Sequence, residues 1–300
     1  MTFSFTTRGA ISNPEEHIVK QDGHAGLLAV SAESTPLRSD PLTWLLRYTG
    51  RTLTIAGMEA RKLLHDPTEL LTRAIQPALW LLVFGQVFTR MRAIPTGSMR
   101  YIDFMAPGIL SQSVLFISIF YGISIIWERD LGILHKFLVS PTPRSALVLG
   151  KAISAGLRGL TQGFIVYLLA VLLGVAMDWS PLSLLGVVAA VMLGAAFFST
   201  FSLVIACLVK TRERFMGIGQ ILTMPLFFAS NAIYPISIMP PWLQVISHAN
   251  PLTYQVDALR ALMLSGGVSA FGIGTDLGIL AFATAVLVSI GARLYPTIAR

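Results

Sequence analysis

Charge is scarce in this chain. Only 12% of its 300 residues are Asp, Glu, Lys or Arg, where ordinary soluble proteins carry about 25%, so a soluble domain in a charged coat is excluded. There is one cysteine, Cys207, so no intramolecular disulfide staples the fold. Set inside an apolar run, Cys207 reads as a small buried side chain. The histidines (17, 24, 65, 135 and 248) are scattered and no H-E-x-x-H occurs, which leaves no spacing suited to a metal. No G-x-x-x-x-G-K-[ST] occurs either: Gly150-Lys151 is followed by Ala152, and Ser145 stands where the first glycine belongs. The chain therefore offers no phosphate cradle of its own. No serine sits in a nucleophile elbow. The apolar segments lack the run of Asp and Glu that proton- or sodium-coupled carriers hold inside the membrane. Energy for transport, if it is used, comes from another chain. No apolar core follows Met1 at the distance a secretory signal needs, and none is expected.

What is abundant is apolar sequence. Hydrophobic residues make up 54% and the mean hydropathy is +0.70, with several runs longer than the roughly 20 residues that cross a bilayer. The expected fold is all-α: a polytopic membrane protein of six transmembrane helices. Residues 1–41 read as a mobile cytoplasmic tail. Residues 42–66 read as an amphipathic helix at the membrane interface, with Leu42, Leu45, Leu46, Leu53, Leu63 and Leu64 on one face and Arg47, Arg51, Arg61 and Lys62 mostly off it. Asp66-Pro67 closes it, and 67–300 form the transmembrane domain. Spans are expected at about 68–88, 104–127, 152–177, 182–209, 215–234 and 277–294.

Orientation follows from the positive residues. With the N-terminus in the cytoplasm, only Arg90, Arg92, Arg100 and Arg260 of the 22 Lys and Arg fall outside. Both termini and the stretch between spans two and three are then cytoplasmic. The net charge of +7 reflects this bias beside an anionic leaflet rather than nucleic-acid binding.

That central stretch, WERDLGILHKFLVSPTPRSALVLGK from Trp127 to Lys151, is too elaborate for a chain reversal, which needs only a few residues. Glu128 and Arg129 stand at the membrane boundary. Leu131, Leu134 and Leu138 fall on one face of a short helix, about 128–140, before Pro141 and Pro143 stop it. Such a helix is a handle for a partner. Between spans five and six, about 235–274, prolines 235, 240 and 241 break the chain into apolar pieces too short to cross. Short helices that enter the outer leaflet and return fit this pattern, with Trp242 as an interface anchor and Asn250-Pro251 as a turn. Gly156, Gly159 and Gly163, and separately Gly186, Ala190 and Gly194, permit close helix approach, within one subunit or between two. Gln112, Ser113 and Ser118 in span two, and Asn231 and Tyr234 late in span five, are candidates for a cargo path.

The central stretch resembles the cytoplasmic loop of the membrane subunits of type-2 ABC exporters, with Glu128, Arg129, Gly132, Leu138, Pro141, Arg144, Gly150 and Lys151 matching its pattern. The segment from Met239 to Arg260 resembles the outer re-entrant signature of that family in Pro240, Trp242, Leu243, Asn250, Pro251 and Asp257. The resemblance covers about 42–295 and is strongest toward the drug-resistance and nodulation-factor exporter branch. The polysaccharide- or glycolipid-exporting branch shares the plan. The resemblance implies a homodimer, or a pair of like permeases, in a bacterial plasma (inner) membrane. Two ATP-binding cassette subunits would lie beneath, binding ATP and Mg, with no cofactor in this chain. It also implies that 42–66 is a connecting helix and that 128–140 couples to the ATPase through Glu128, Arg129, Leu131, Leu134, Leu138 and Arg144. The cargo would be hydrophobic, drug-like or lipid-like. A stand-alone channel or lipid scramblase is the other class, and it would need no coupling helix.

Overall fold

The computed structural model describes residues 49–50, 54, 57, 72, 75–91, 94–97, 99–131, 143–209 and 211–295, all within a unit spanning 40–300 that is distinct from residues 1–39. The expected tail, most of the interface helix 42–66, and Leu134 and Leu138 lie outside them. Residues 49, 50, 54 and 57 are helical and exposed.

The described chain is helical apart from turns and one isolated bridge between Met177 and Leu264. Helix α1 covers residues 75–91 and is π-helical over Trp80–Gly85. Then come α2 (Tyr101–Tyr121), α3 (Ile123–Asp130), α4 (Arg144–Leu172), α5 (Pro181–Leu208), α6 (Arg212–Phe228), α7 (Pro241–Ala249), α8 (Pro251–Met263) and α9 (Ile273–Leu294). Their starts follow ordinary capping chemistry. Pro181 opens α5 behind Ser180, whose hydroxyl accepts from the Ser183 amide at 3.2 Å. Asn250 caps α8 by accepting from the Leu252 amide at 3.0 Å, with Pro251 in the first position.

Among the described residues, four helices are long and apolar enough to cross a membrane: Tyr101–Asp130, Arg144–Leu172, Pro181–Leu208 and Ile273–Leu294. They correspond to the expected spans two, three, four and six. The expected span five is α6, whose 17 residues reach about 26 Å at 1.5 Å each, followed by a compact turn at 229–235. Of expected span one, residues 72 and 75–88 are described, the latter within α1.

Helix α2 is the axis. A helix apolar all round belongs inside a bundle, and every residue of α2 is buried except Ser113, Phe116 and Phe120. It packs on α4, α5 and α8, while α5 also holds α4, α8 and α9. The glycines set these distances within the chain. A Cβ on Gly156 would meet the Met192 sulfur at 2.5 Å, and one on Gly194 would enter the Gln255 side chain. At Gly108 the obstacle is backbone, with the Ala232 carbonyl oxygen 2.3 Å from the missing Cβ. Gly108→Ala is therefore expected to destabilise by about 1–3 kcal/mol, the usual range for overpacking. Gly194→Ala, which displaces only a side chain, should cost less. Thermal unfolding of the detergent-solubilised protein checks the order, and equal midpoints for the two variants would refute it.

Two expectations change. The charges of the central stretch do not stand free of the helices: Glu128 to Asp130 finish α3, which continues α2 past Gly122, and Arg144 is the first residue of α4. Span three thus begins eight residues before the expected Ala152. Lys151 looked like loop because it is charged, but it lies in the second turn of α4 beside a buried acid, which makes the helix tolerable there.

Candidate functional site

The three residues of α2 that the chain leaves uncovered, Ser113, Phe116 and Phe120, repeat at i, i+3 and i+7 and so share one helical face. That face opens into a groove of about 370 Å³ between α1, α2 and α4, lined also by Gln76, Pro77, Ile117 and Gln162. The size lies at the lower end of ligand sites, about 300–1,000 Å³. The Phe116 and Phe120 rings lie 6.2 Å apart on its wall. The Ser113 hydroxyl donates to the Ile109 carbonyl at 2.8 Å, leaving an oxygen lone pair toward the groove. An apolar body with a few polar groups is the chemistry such walls accommodate. A larger groove of about 530 Å³ between α4 and α5 is walled by apolar side chains with Tyr167 and Trp179, a surface suited to lipid tails.

The other expected cargo residues are not in this groove. Gln112 and Ser118 are buried in the α2 packing, and the Gln112 amide nitrogen and Ser118 hydroxyl have no hydrogen-bond partner among the described residues. Asn231 is buried, and its backbone oxygen accepts from Arg260 Nη2 at 2.7 Å. The Tyr234 hydroxyl donates to the Phe228 carbonyl at 2.5 Å. Phe116, Phe120, Gln76 and Gln162 were missed because nothing in an all-apolar stretch says which face stays open.

The roots of the central loop carry a second arrangement. Glu128 Oε1 and Lys151 Nζ meet at 2.7 Å and both residues are buried. Arg158 lies 5.0 Å over the Tyr121 ring, whose hydroxyl donates to Ser154 Oγ at 3.3 Å. On the surface, Asp130 is shared by Arg129 at 3.0 Å and Arg212 at 2.9 Å. The Arg212 guanidinium also lies 4.6 Å over Trp127. Leu131 is exposed just beyond α3, and Arg144 is exposed at the start of α4.

The segment between α6 and α9 is two short helices. Pro240 and Pro241 open α7, which presents Trp242 outward. Asn250 caps α8 and donates through Nδ2 to the Leu226 carbonyl at 2.7 Å. Asp257 is buried, and its Oδ2 accepts from Ser269 Oγ at 2.8 Å, the Ala270 amide at 2.7 Å and the Phe271 amide at 3.1 Å. It thereby pins the loop that leads into α9. Arg260, absent from the expected site, lies 3.8 Å over the Phe104 ring and is buried. Asp257→Ala should strand two amides at about 1–3 kcal/mol each and loosen residues 265–272. Faster proteolysis in that loop checks this, and wild-type protection would refute it. At the adjoining turn between α4 and α5, which pairs with the end of α8 through Met177 and Leu264, the Ser183 hydroxyl and the Ser180 amide hold the Asp178 carboxyl below its ordinary range.

Comparison with known proteins adds the family. The ABC-2 type transporter family matches residues 51–264. The daunorubicin resistance ABC transporter permease protein DrrB1 of Streptomyces coeruleorubidus is 29% identical over 269 residues, 89% of this chain and 90% of that protein. Ycf38 of Cyanophora paradoxa is 32% identical over 203 residues, 67% of this chain and 70% of its own. The inner membrane transport permease YadH of Escherichia coli K12 is 24% identical over 215 residues, covering 69% of this chain and 80% of that one.

Proposed function

This chain belongs to the ABC-2 type transporter family, and from that premise we propose that it is the transmembrane subunit of an ATP-driven exporter of hydrophobic, drug-like or lipid-like molecules. Permeases of this family work with ATP-binding cassette subunits. Here the working unit is two copies of this chain, or this chain with a like permease, above two such subunits that bind ATP and Mg. Each chain crosses six times, with α1 and α6 as spans one and five. Both termini lie in the cytoplasm of a bacterial inner membrane, and α7 and α8 re-enter from the outer side.

The observation that carries the cargo class is the groove. Its Phe116, Ile117 and Phe120 walls suit an apolar body, and Gln76, Ser113 and Gln162 supply a small polar set. The likeness to a daunorubicin resistance permease over nine-tenths of both chains points the same way.

The chain alone has no phosphate cradle, so ATP turnover should be absent from the purified subunit. It should appear when the cognate ATP-binding cassette subunit is co-expressed and co-purifies with the tagged chain. Turnover by the subunit alone, or a complex without the cassette protein, would refute the proposal. Topology is tested by external maleimide labelling of single cysteines, which should mark one at Thr96 and spare one at Ser140. The reverse pattern would overturn the orientation.

A further inference from the structure

Two ion-pair layers stand at the roots of the central loop, and water treats them differently. The outer layer, Asp130 with Arg129 and Arg212, has side chains 37%, 23% and 43% exposed. Water and salt screen it, so its members exchange partners at little cost. In the inner layer, Glu128 and Lys151 are 8% and 6% exposed and bond at 2.7 Å. Glu128 lies in the last turn of α3 and Lys151 in the second turn of α4, 23 residues later, with the whole loop between them. The surroundings close over the pair. Lys151 Nζ lies 5.9 Å from the centre of the Tyr121 ring, and Tyr295, fully buried beyond the end of α9, packs among Ile125, Leu147 and Val148. Pulling the pair apart would leave two buried charges uncompensated, so it resists separation as the outer layer does not.

The geometry matters because of what the two helices carry. Helix α3 continues α2, which bears Ser113, and α4 bears Gln162, so the joined helices form two walls of the groove. We infer that the Glu128–Lys151 pair is the joint that makes α3 and α4 move as one body when the central loop is displaced, with Lys151 a positioning residue for that step. The inference rests on the coupling role proposed for the loop. A loop tied only by the screened outer layer would absorb its own displacement, and the groove would not feel it.

The test reads the groove and needs no cargo. The chain, carrying Cys207→Ala and Ser113→Cys, is reconstituted in proteoliposomes with its ATP-binding cassette subunit, and the maleimide labelling rate is measured with and without ATP. With the pair intact, ATP should change the rate at least about five-fold, the low end of measured couplings between sites. In Lys151→Met the change should fall below about two-fold while the cassette subunit stays bound and hydrolyses ATP, and in Glu128→Gln the change should fall likewise. Exchanging the charges, Glu128→Lys with Lys151→Glu, should restore the response. Single variants with a full response, or an exchanged pair that binds its ATPase and stays unresponsive, overturn the joint. If a single variant fails to accumulate, Lys151→Arg and the exchanged pair decide, since both keep the charge partnership and must respond. If the intact complex itself shows no ATP effect at position 113, the coupling role fails, and the joint falls with it.

Discussion

Tryptophan at position 113 is expected to abolish export while the complex goes on hydrolysing ATP. Ser113 is half-exposed at the open face of α2, in a groove of about 370 Å³ that Phe116 and Phe120 already narrow. An indole covers about 150–250 Å² when buried and would occupy the space a cargo molecule needs. The backbone stays undisturbed because the side chain points out of the α2 packing. Ser113→Trp should lower transport of a fluorescent hydrophobic probe by at least about ten-fold, and Ser113→Ala by less than about two-fold. The Ala variant loses only a bond the helix makes with itself, from Ser113 Oγ to the Ile109 carbonyl. Transport by the Trp variant at the native rate would remove the groove from the cargo path.

The second large effect lies in the central loop. Leu131, Leu134 and Leu138 repeat as one apolar ridge in the sequence, and the described member, Leu131, is 68% exposed. Burying three leucines contributes about 4–9 kcal/mol gross, less the cost of association. Replacing Leu134 and Leu138 together by Asp should remove at least about 3 kcal/mol, on the order of a hundred-fold in affinity for the cassette subunit. It should also abolish transport. Membrane insertion should be unchanged, because the loop lies between spans. Co-purification titrated against the cassette subunit measures the first effect and probe transport the second. A double variant that holds its partner and exports normally would make the ridge a plain chain reversal.

Much of the fold was legible because a bilayer demands long apolar runs and loops demand breakers. The runs from Phe104, Leu182 and Leu277 announced three spans, and Asn250-Pro251, read as a turn, is where the chain turns into α8. The start of α4 was not legible, because Lys151 is a charge and hydropathy alone reads a charge as loop. Only its partner Glu128, 23 positions away, makes it a buried helical residue. The site was legible in part. Ser113 was on the expected cargo path and lines the groove, but Gln112 and Ser118, next to it and one turn on, turn inward. A helix apolar on every side gives no phase to a periodicity argument. Its open face is decided by α1 and α4, through Gln76 and Gln162, which are distant in sequence. Asp257 was marked only by the family resemblance, and the three donors it gathers from 269–271 are long-range contacts that no local pattern contains.

The measurement that tests the central claim most directly is transport of a fluorescent hydrophobic probe in sealed proteoliposomes holding this chain with or without its ATP-binding cassette subunit. Movement of the probe from the cytoplasmic face to the outer face, against its gradient, is predicted only when both proteins and ATP are present. It should stop when the cassette subunit's Walker A lysine is replaced. Equilibration of the probe by this chain alone, at a rate that ATP and the second subunit leave unchanged, would show a channel or scramblase and contradict the account.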